Sequence, residues 1–229
     1  MLFGGRNSDD ETVVAMLASA IRRDISFGVL PPDEKLKIEA LRQAYGGSNH
    51  SMRETLRMLS AEGLVEATSQ RGFRVMSATQ EDLEDILLMR IQTEKLGLSR
   101  AMERGDVAWE SKVVAAFHAL SRAEAAVVAQ PEDITALEWD EACRAASETL
   151  LSACGSRRLI QVAGKFYNQS RRFRLALLRE GRIDFLERAD RLERLQRAVL
   201  SRDEVSALAL LEEDIRADLG AGKTTARTQ

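Results

Sequence analysis

Side chains suited to nucleic-acid binding recur in residues 48–76 at the spacing of one helix face. His50, Arg53 and Arg57 lie three and four residues apart, so a helix places them on the same side. An arginine guanidinium donates paired hydrogen bonds to guanine edges and to phosphate oxygens. We therefore expect this face to point away from the protein, toward a DNA duplex.

The other face of the same segment is apolar. Met52, Leu56 and Leu59 follow one another at offsets of four and three, and we expect them to face a core. Ser48 suits the N-cap position, where open backbone N–H groups and the positive end of the helix dipole favour a phosphate. Gly63 suits the left-handed residue that ends such a helix.

Short elements on both sides must position this helix. Two strands are predicted at residues 64–67 and 73–76, joined by a tight basic tip. Before the helix, the pattern predicts an amphipathic helix that begins at Glu11, a short helix at 37–44, and a double-glycine turn. The predicted order is helix, helix, turn, helix, hairpin.

This ordered series of motifs over residues 11–78 resembles the winged helix-turn-helix of GntR-family bacterial transcription regulators. The motifs are the runs 28–36, 48–59, 62–65 and 70–75. The resemblance implies a DNA-binding domain, in which Arg53 and Arg71 match the family pattern. Together with the polar residues of the helix cap and face, we expect these DNA contacts: Lys37, Ser48, Asn49, His50, Ser51, Arg53, Arg57 and Arg71.

Two positions depart from the family pattern. Asn49 stands where family members carry an arginine, and Glu39 stands where the preceding helix often has a basic residue. Residues 1–78 hold ten Lys or Arg and ten Asp or Glu, so DNA binding depends on a local patch. The operator sequence stays open, and so does the alternative that this domain binds a protein partner.

Residues 79–219 have a different pattern. They contain one proline and almost no strand signal, and interruptions of the helical pattern predict about six helices. The interruptions fall near Gly105, Pro131, Gly155, Gly181 and Ser201. We expect Thr79 to cap the first helix, and Ser201 with Glu204 to form a capping box for the last. This all-α bundle resembles the FCD ligand-binding domain of one GntR branch.

The chain of 229 residues is thus predicted to be mainly α, with an N-terminal winged helix-turn-helix (three helices plus a β-hairpin) followed by an all-α six-helix bundle. The expected segments are a flexible tail 1–10, a DNA-binding domain 11–78, a helical effector-binding and dimerisation domain 79–220, and a flexible tail 221–229. No stretch is apolar enough for a membrane span or signal core, and Cys143 and Cys154 are expected to be reduced thiols. These features predict a cytoplasmic, nucleoid-associated protein.

Two charges interrupt the apolar face of the first bundle helix. Arg90 and Glu94 lie four residues apart, which allows a structural ion pair. Alternatively, Arg90 offers its fork to a carboxylate or phosphate ligand while Glu94 orients it. The resemblance favours the second interpretation, because Arg-x-x-x-Glu recurs in this helix of FCD proteins. The full set of expected effector-binding residues is Arg90, Glu94, Cys143, Ser147, Asn168 and Arg172, of which the last four also allow helix packing or exposed surface.

The resemblance also implies a metal site whose ligands this sequence lacks. Many FCD domains hold a divalent metal with one aspartate and three histidines. The corresponding positions here are Cys143, Ser147, Leu192 and Asp214, and the chain has only two histidines. We expect no metal and no other cofactor, since Cys143 with Asp214 offers at most a poor two-ligand site.

Enzymatic chemistry finds no support in the sequence. A Gly-rich phosphate loop, a nucleophile elbow and a His-Glu zinc motif are all absent. We therefore expect a transcription regulator, a repressor, that binds a double-stranded operator as a homodimer and a small carboxylate or other polar metabolite in its bundle. A bundle that has lost its ligand response and only dimerises stays open as an alternative.

Overall fold

The computed structural model describes the backbone of residues 6–68 and 72–220 and the side chains of 12–68 and 72–220. The chain divides into two compact units between Asp82 and Leu83. The first unit has three helices and a small sheet, and the second is a bundle of helices. The predicted fold class is therefore confirmed.

The N-terminal unit combines three helices with a three-stranded sheet. Its elements are α1 (Arg6–Ser26), β1 (Lys35–Leu36), α2 (Ile38–Tyr45), α3 (Asn49–Ala61), β2 (Val65–Thr68) and β3 (Gly72–Val75). Strand β3 lies in the middle and pairs antiparallel with both neighbours. The sequence predicted the hairpin but not β1, because a two-residue strand is too short to carry a periodic pattern.

Two predicted features of this unit fall at its edges. Helix α1 begins at Arg6, inside the segment 1–10 that was predicted to be a tail. Residues 1–5 and the basic tip of the wing at 69–71 lie outside the described residues. The expected role of Arg71 therefore stays a prediction.

Glycines set the direction of α3. Gly46 and Gly47 have φ of 82° and 81°, a region that glycine enters without steric cost, and they turn the chain from α2 into α3. Gly63 has φ of 77°, and Leu64 N–H donates to the Leu59 carbonyl at 3.0 Å just past the end of α3. The predicted left-handed helix end is thus confirmed.

Two side-chain contacts fix the helices of this unit against one another. Arg22 of α1 donates to both carboxylate oxygens of Glu62, the residue that follows α3, at 2.7 and 2.9 Å. The Tyr45 hydroxyl of α2 donates to Asp24 of α1 at 2.6 Å. Burial and the Asp24 carboxylate raise the pKa of Tyr45 above its ordinary value. The face of α3 opposite α1 therefore has a fixed orientation.

The second unit is built from six helices within the described residues. They are α4 (Gln80–Arg104), α5 (Val107–Ala129), α6 (Asp133–Leu151), α7 (Arg157–Arg179), α8 (Phe185–Leu200) and α9 (Glu204–Asp218). Helix α5 packs mainly on α6, and α8 packs mainly on α9. None of the described helices has the length and apolar content that a bilayer crossing requires. The predicted tail 221–229 lies outside the described residues.

Of the two helix caps predicted in the bundle, one is confirmed and the other is wrong. Thr79 Oγ1 accepts from Asp82 N–H at 3.1 Å and Asp82 accepts from Thr79 N–H at 2.9 Å, so the predicted cap is confirmed. The predicted capping box of Ser201 with Glu204 is wrong. Asp203 caps α9 by accepting from Ser206 N–H, while Ser201 ends α8. A carboxylate two residues later competes better for the helix N-terminus.

Candidate nucleic-acid interface and effector cavity

Helix α3 has one buried and one exposed face, as its periodicity predicts. Met52 and Leu56 are completely buried in the core of the N-terminal unit. Asn49, His50 and Arg53 are exposed on the other side. These three side chains carry hydrogen-bond donors and acceptors that suit base edges and phosphates.

The start of α3 is fixed by a reciprocal pair of serines. Ser48 Oγ accepts from Ser51 N–H at 3.0 Å, and Ser51 Oγ accepts from Ser48 N–H at 2.9 Å. Ser51 is only 3% exposed, so its expected DNA contact is wrong: its hydroxyl belongs to the cap. The amide N–H groups of Asn49 and His50 find no acceptor among the described residues. They are left to bind an anion at the positive end of the helix.

The basic residues that are expected to contact DNA differ in whether they already have a partner within the protein. Arg57 is 66% exposed but donates to Glu54 on the preceding turn. Arg53 is exposed and makes no ion pair within the part of the chain that the structure describes. Lys37 is exposed at the residue just before α2. Arg53 is therefore the most available cation on the α3 surface.

Sequence reasoning missed Arg42, which lies on α2 next to the start of α3. Its Nε donates to the Gly47 carbonyl at 3.2 Å, and its Nη1 donates to Asn49 Oδ1 at 3.3 Å. Both contacts are exposed, so the guanidinium lies beside the residue that replaces the arginine of the family pattern. No periodicity signals this, because the contact crosses the double-glycine turn.

The helical unit encloses a small cavity at its centre. Its volume is about 30 Å³, which holds roughly two water molecules. Four of the six expected effector-binding residues line it, namely Arg90, Glu94, Cys143 and Ser147. A pocket for a small metabolite usually has ~300 Å³ or more, so the present cavity is too small for one.

Arg90 and Glu94 form a buried ion pair rather than open groups. Arg90 Nε donates to Glu94 at 2.6 Å, and both side chains are at most 3% exposed. Arg90 Nη1 also donates to Ser170 at 3.2 Å, while Ser147 donates to the second Glu94 oxygen at 2.9 Å. In this conformation Arg90 and Glu94 therefore form a structural ion pair, which is the first of the two interpretations given above.

Asn168 and Arg172 do not line this cavity, so their expected effector contacts stay a prediction. Both are only partly buried on α7, and the Arg172 guanidinium lies 5.3 Å from the centre of the Phe173 ring. The helix instead turns Tyr167, Arg171 and Arg174 inward. The side chains that this helix turns inward are therefore different from those predicted.

A second buried arginine cluster surrounds Asp140 of α6. Arg171 and Arg174 both donate to its carboxylate, and Asp140 is completely buried. Burial alone lowers the pKa of Arg174, but the Asp140 carboxylate raises it above its ordinary value. The sequence does not reveal this cluster, because a run rich in arginine is usually solvated.

The third cluster centres on Arg188 of α8 and was also missed. Arg188 Nε donates to Glu124 of α5 at 2.5 Å, and Nη1 donates to Asp218 of α9. Nη2 lies 3.4 Å from the Cys143 sulfur of α6, and Nη1 lies 3.6 Å from Asp214 of α9. Charge alternation like that at 182–197 is typical of an exterior helix, yet the Arg188 side chain is 2% exposed.

The four positions that the resemblance assigns to metal ligands do converge, but their chemistry does not suit a metal. Cys143, Ser147, Leu192 and Asp214 all line the same cavity. Burial raises the pKa of the Cys143 thiol to about 11, which keeps it protonated, and Asp214 accepts from Arg191 at 3.0 Å. Leucine offers no ligand atom, and a neutral serine hydroxyl is not among the ligands that zinc prefers. Within the described residues, no group of three or more His, Cys, Asp or Glu side chains has a metal-binding arrangement.

One polar group of the cavity wall is unpaired. Tyr167 is 3% exposed, and its hydroxyl has no hydrogen-bond partner among the described residues. Its ring lies between two cations, with Arg90 at 4.5 Å and Arg174 at 4.4 Å from the ring centre. A buried hydroxyl without a partner is unfavourable, and a polar group that entered the cavity would satisfy it.

Comparison with known proteins matches both units. Residues 14–75 match the family described as bacterial regulatory proteins, gntR family, and residues 85–217 match the FCD domain. The chain is 33% identical over 198 residues to the HTH-type transcriptional repressor GlaR of Escherichia coli K12, covering 85% of this chain and 89% of GlaR. It is 34% identical over 154 residues to the regulator BphR of Paraburkholderia xenovorans LB400, covering 67% and 62%.

Solved structures share the fold. Escherichia coli McbR/YncC superposes with a TM-score of 0.69 at 16% identity, covering 91% of this chain and 95% of McbR/YncC. A GntR protein from Rhodococcus sp. RHA1 superposes with a TM-score of 0.67 at 22% identity, covering 93% and 100%. These similarities concern the fold alone.

Proposed function

The chain belongs to the GntR family of bacterial transcription regulators, in the branch with an FCD domain, and we propose that it is a cytoplasmic repressor controlled by a small carboxylate or similar polar metabolite. In this proposal two copies of the chain bind two operator half-sites related by two-fold symmetry, as helix-turn-helix proteins usually do. Repression, rather than activation, is proposed because GlaR is named a repressor. We propose no catalytic role.

The exposed face of α3 carries the proposal for DNA. Its core face is completely buried and its cap is closed by Ser48 and Ser51, so the helix is a rigid support for Arg53 and its neighbours. We propose that Asn49, His50 and Arg53 bind base edges, that Arg57 supports them, and that Lys37 and the open amides of the α3 start bind phosphates. Arg71 is proposed to contact the adjacent backbone from the wing.

Salt-dependent binding tests the DNA proposal directly. The full-length protein is titrated into a labelled duplex from the region upstream of its own gene, and an unrelated duplex of equal length is the control. Each phosphate contact contributes a slope of about −0.9 in log K against log salt, so several contacts give a steep dependence. Equal affinity for both duplexes, or a flat salt dependence, contradicts the proposal and favours a protein partner.

A ligand-unresponsive bundle is the second candidate, and the cavity volume favours it. Space for about two water molecules leaves no room for a metabolite unless the helices move. Thermal unfolding with a panel of small organic acids separates the candidates. A saturable rise in Tm supports effector binding, because a ligand that binds only the folded state stabilises it. No rise with any acid favours a bundle that only dimerises.

A further inference from the structure

Charges inside the helical unit are balanced. Within the part of the chain that the structure describes, five arginines of this unit are buried: Arg90, Arg171, Arg174, Arg188 and Arg191. They face five carboxylates, four of them buried and the fifth, Asp214, with a side chain that is 13% exposed: Glu94, Glu124, Asp140, Asp214 and Asp218. An added anion therefore finds no spare cation, and burying an uncompensated charge is strongly unfavourable. An anionic ligand can enter only if it replaces a carboxylate that is already there.

Asp218 is the carboxylate that is easiest to replace. It is the last residue of α9, and a negative charge at this end opposes the helix dipole. Its contact with Arg188 offsets this cost. The other carboxylate that accepts a hydrogen bond from Arg188 is Glu124, which is held in the middle of α5, where movement would disturb helix packing on both sides.

We propose that Asp218 holds the place of a ligand carboxylate on Arg188, and that a small carboxylate binds there by exchange with Asp218. The proposal deepens the effector response proposed above and rests on it. Arg188 then supplies the fixed positive charge at positions where the FCD resemblance implied a metal. Because the cation is part of α8, binding needs no metal.

The surroundings of Arg188 suit one carboxylate with a further polar group. Arg188 and Arg191 carry two positive charges against three negative charges on Glu124, Asp214 and Asp218, so exchange preserves this balance while addition would worsen it. Removal of the Asp218 side chain from the wall enlarges the cavity. The unpaired Tyr167 hydroxyl lines the same cavity and is available to the ligand.

Exchange has a structural consequence at the end of α9. Once Arg188 binds the ligand, Asp218 loses the contact that offsets its unfavourable position. The last turn of α9 then loosens, which gives the unit two states that a carboxylate distinguishes. This differential binding is the requirement for any effector response.

Rescue of an Asp218→Ala variant by acetate tests the exchange. Loss of one partner of a buried ion pair is expected to lower Tm by roughly 10 °C in a domain of this size. Sodium acetate is expected to restore at least half of that loss in a saturable way, whereas sodium chloride at equal ionic strength is not. A loss that acetate and chloride restore equally overturns the proposal.

Glu213→Ala is the matched control, because Glu213 is an exposed carboxylate on the same helix. Its Tm is expected to change little and to respond equally to acetate and chloride. A specific acetate effect on this variant as large as that on Asp218→Ala shows that acetate acts elsewhere, and it overturns the proposal.

Hydrogen exchange of the wild-type protein provides a test that does not depend on the folding of a variant. High acetate is expected to accelerate amide exchange in the last turn of α9 and to leave α5 unchanged, relative to chloride. Unchanged exchange in that turn overturns the exchange mechanism. Operator binding is measured separately, so a failure of DNA binding and a failure of carboxylate exchange are distinct results.

Discussion

Arginines have opposite roles in the two units. On α2 and α3, Arg42, Arg53 and Arg57 are exposed and reach at most weak or local partners. In the helical unit, residues such as Arg174 and Arg188 are buried and bound to carboxylates from other helices. The difference shows that arginine content alone does not identify a binding surface. An arginine is available to a binding partner where the protein does not itself supply a carboxylate to bind it.

The largest expected effect comes from removal of a buried anion, which tests whether the interior pairs carry stability. Asp140→Ala leaves Arg171 and Arg174 without their shared carboxylate, and we expect a loss of about 3–5 kcal/mol in the free energy of unfolding. Urea unfolding of the full-length protein measures it. Glu138→Ala is the control, because Glu138 is exposed on the same helix and an exposed carboxylate contributes about 0–1 kcal/mol. Equal losses in the two variants would remove the distinction between buried and exposed carboxylates.

The sequence predicted the start, the buried face and the end of α3 well, because the rules that determine them are local. Ser48, Met52 and Gly63 obey capping and periodicity rules that span fifteen or so residues. Arg188, in contrast, meets Glu124 and Asp218 at separations of 64 and 30 residues along the chain. Its own helix shows the same charge alternation that an exterior helix shows. Only the packing of several helices reveals which of those charges are inside.

The errors have the same origin. Ser51 carries a hydroxyl on the predicted surface helix, but this hydroxyl accepts a hydrogen bond from Ser48 N–H in the helix cap. Asn168 and Arg172 lie off the inward face of α7, which in this interval carries Tyr167, Ser170 and Arg171 instead of a purely apolar stripe. Burial decides each case, and burial depends on distant residues.

Arg53→Ala tests whether an exposed arginine contributes to DNA binding and not to stability. We expect it to weaken operator binding by about 1–3 kcal/mol if the guanidinium pairs with guanine. The free energy of unfolding should stay within about 0.5 kcal/mol, since an exposed residue without an ion pair contributes little to folding. Fluorescence anisotropy and urea unfolding give the two numbers. A uniform loss of affinity across operator variants would reassign Arg53 to the phosphate backbone.

A double-mutant cycle on Arg42 and Asn49 has a smaller expected effect. If Arg42 fixes the orientation of the Asn49 amide, the two alanine substitutions are not additive, and operator binding shows a coupling of about 0.5–1 kcal/mol. Arg42→Ala should also reduce the salt slope by about one if the guanidinium contacts a phosphate. Gln43→Ala is the control, because Gln43 is exposed on the same helix. Additive losses would show that Arg42 acts independently of Asn49.

A further expected effect concerns alkaline pH and the Cys143 thiol. Burial raises its pKa from 9.0 to about 11 in the folded state, so the unfolded chain loses this proton first as pH rises. Stability that is present below pH 9 is therefore lost progressively between about pH 9 and 11. Urea unfolding across this range should show a shallower decline for Cys143→Ala than for the wild type, whatever the variant loses in packing at neutral pH. The alkaline decline due to Tyr45, whose pKa burial also raises, is common to both proteins and cancels in the difference. Parallel curves would mean that the thiol is solvated, and that the interior around Arg188 is more open than its contacts imply.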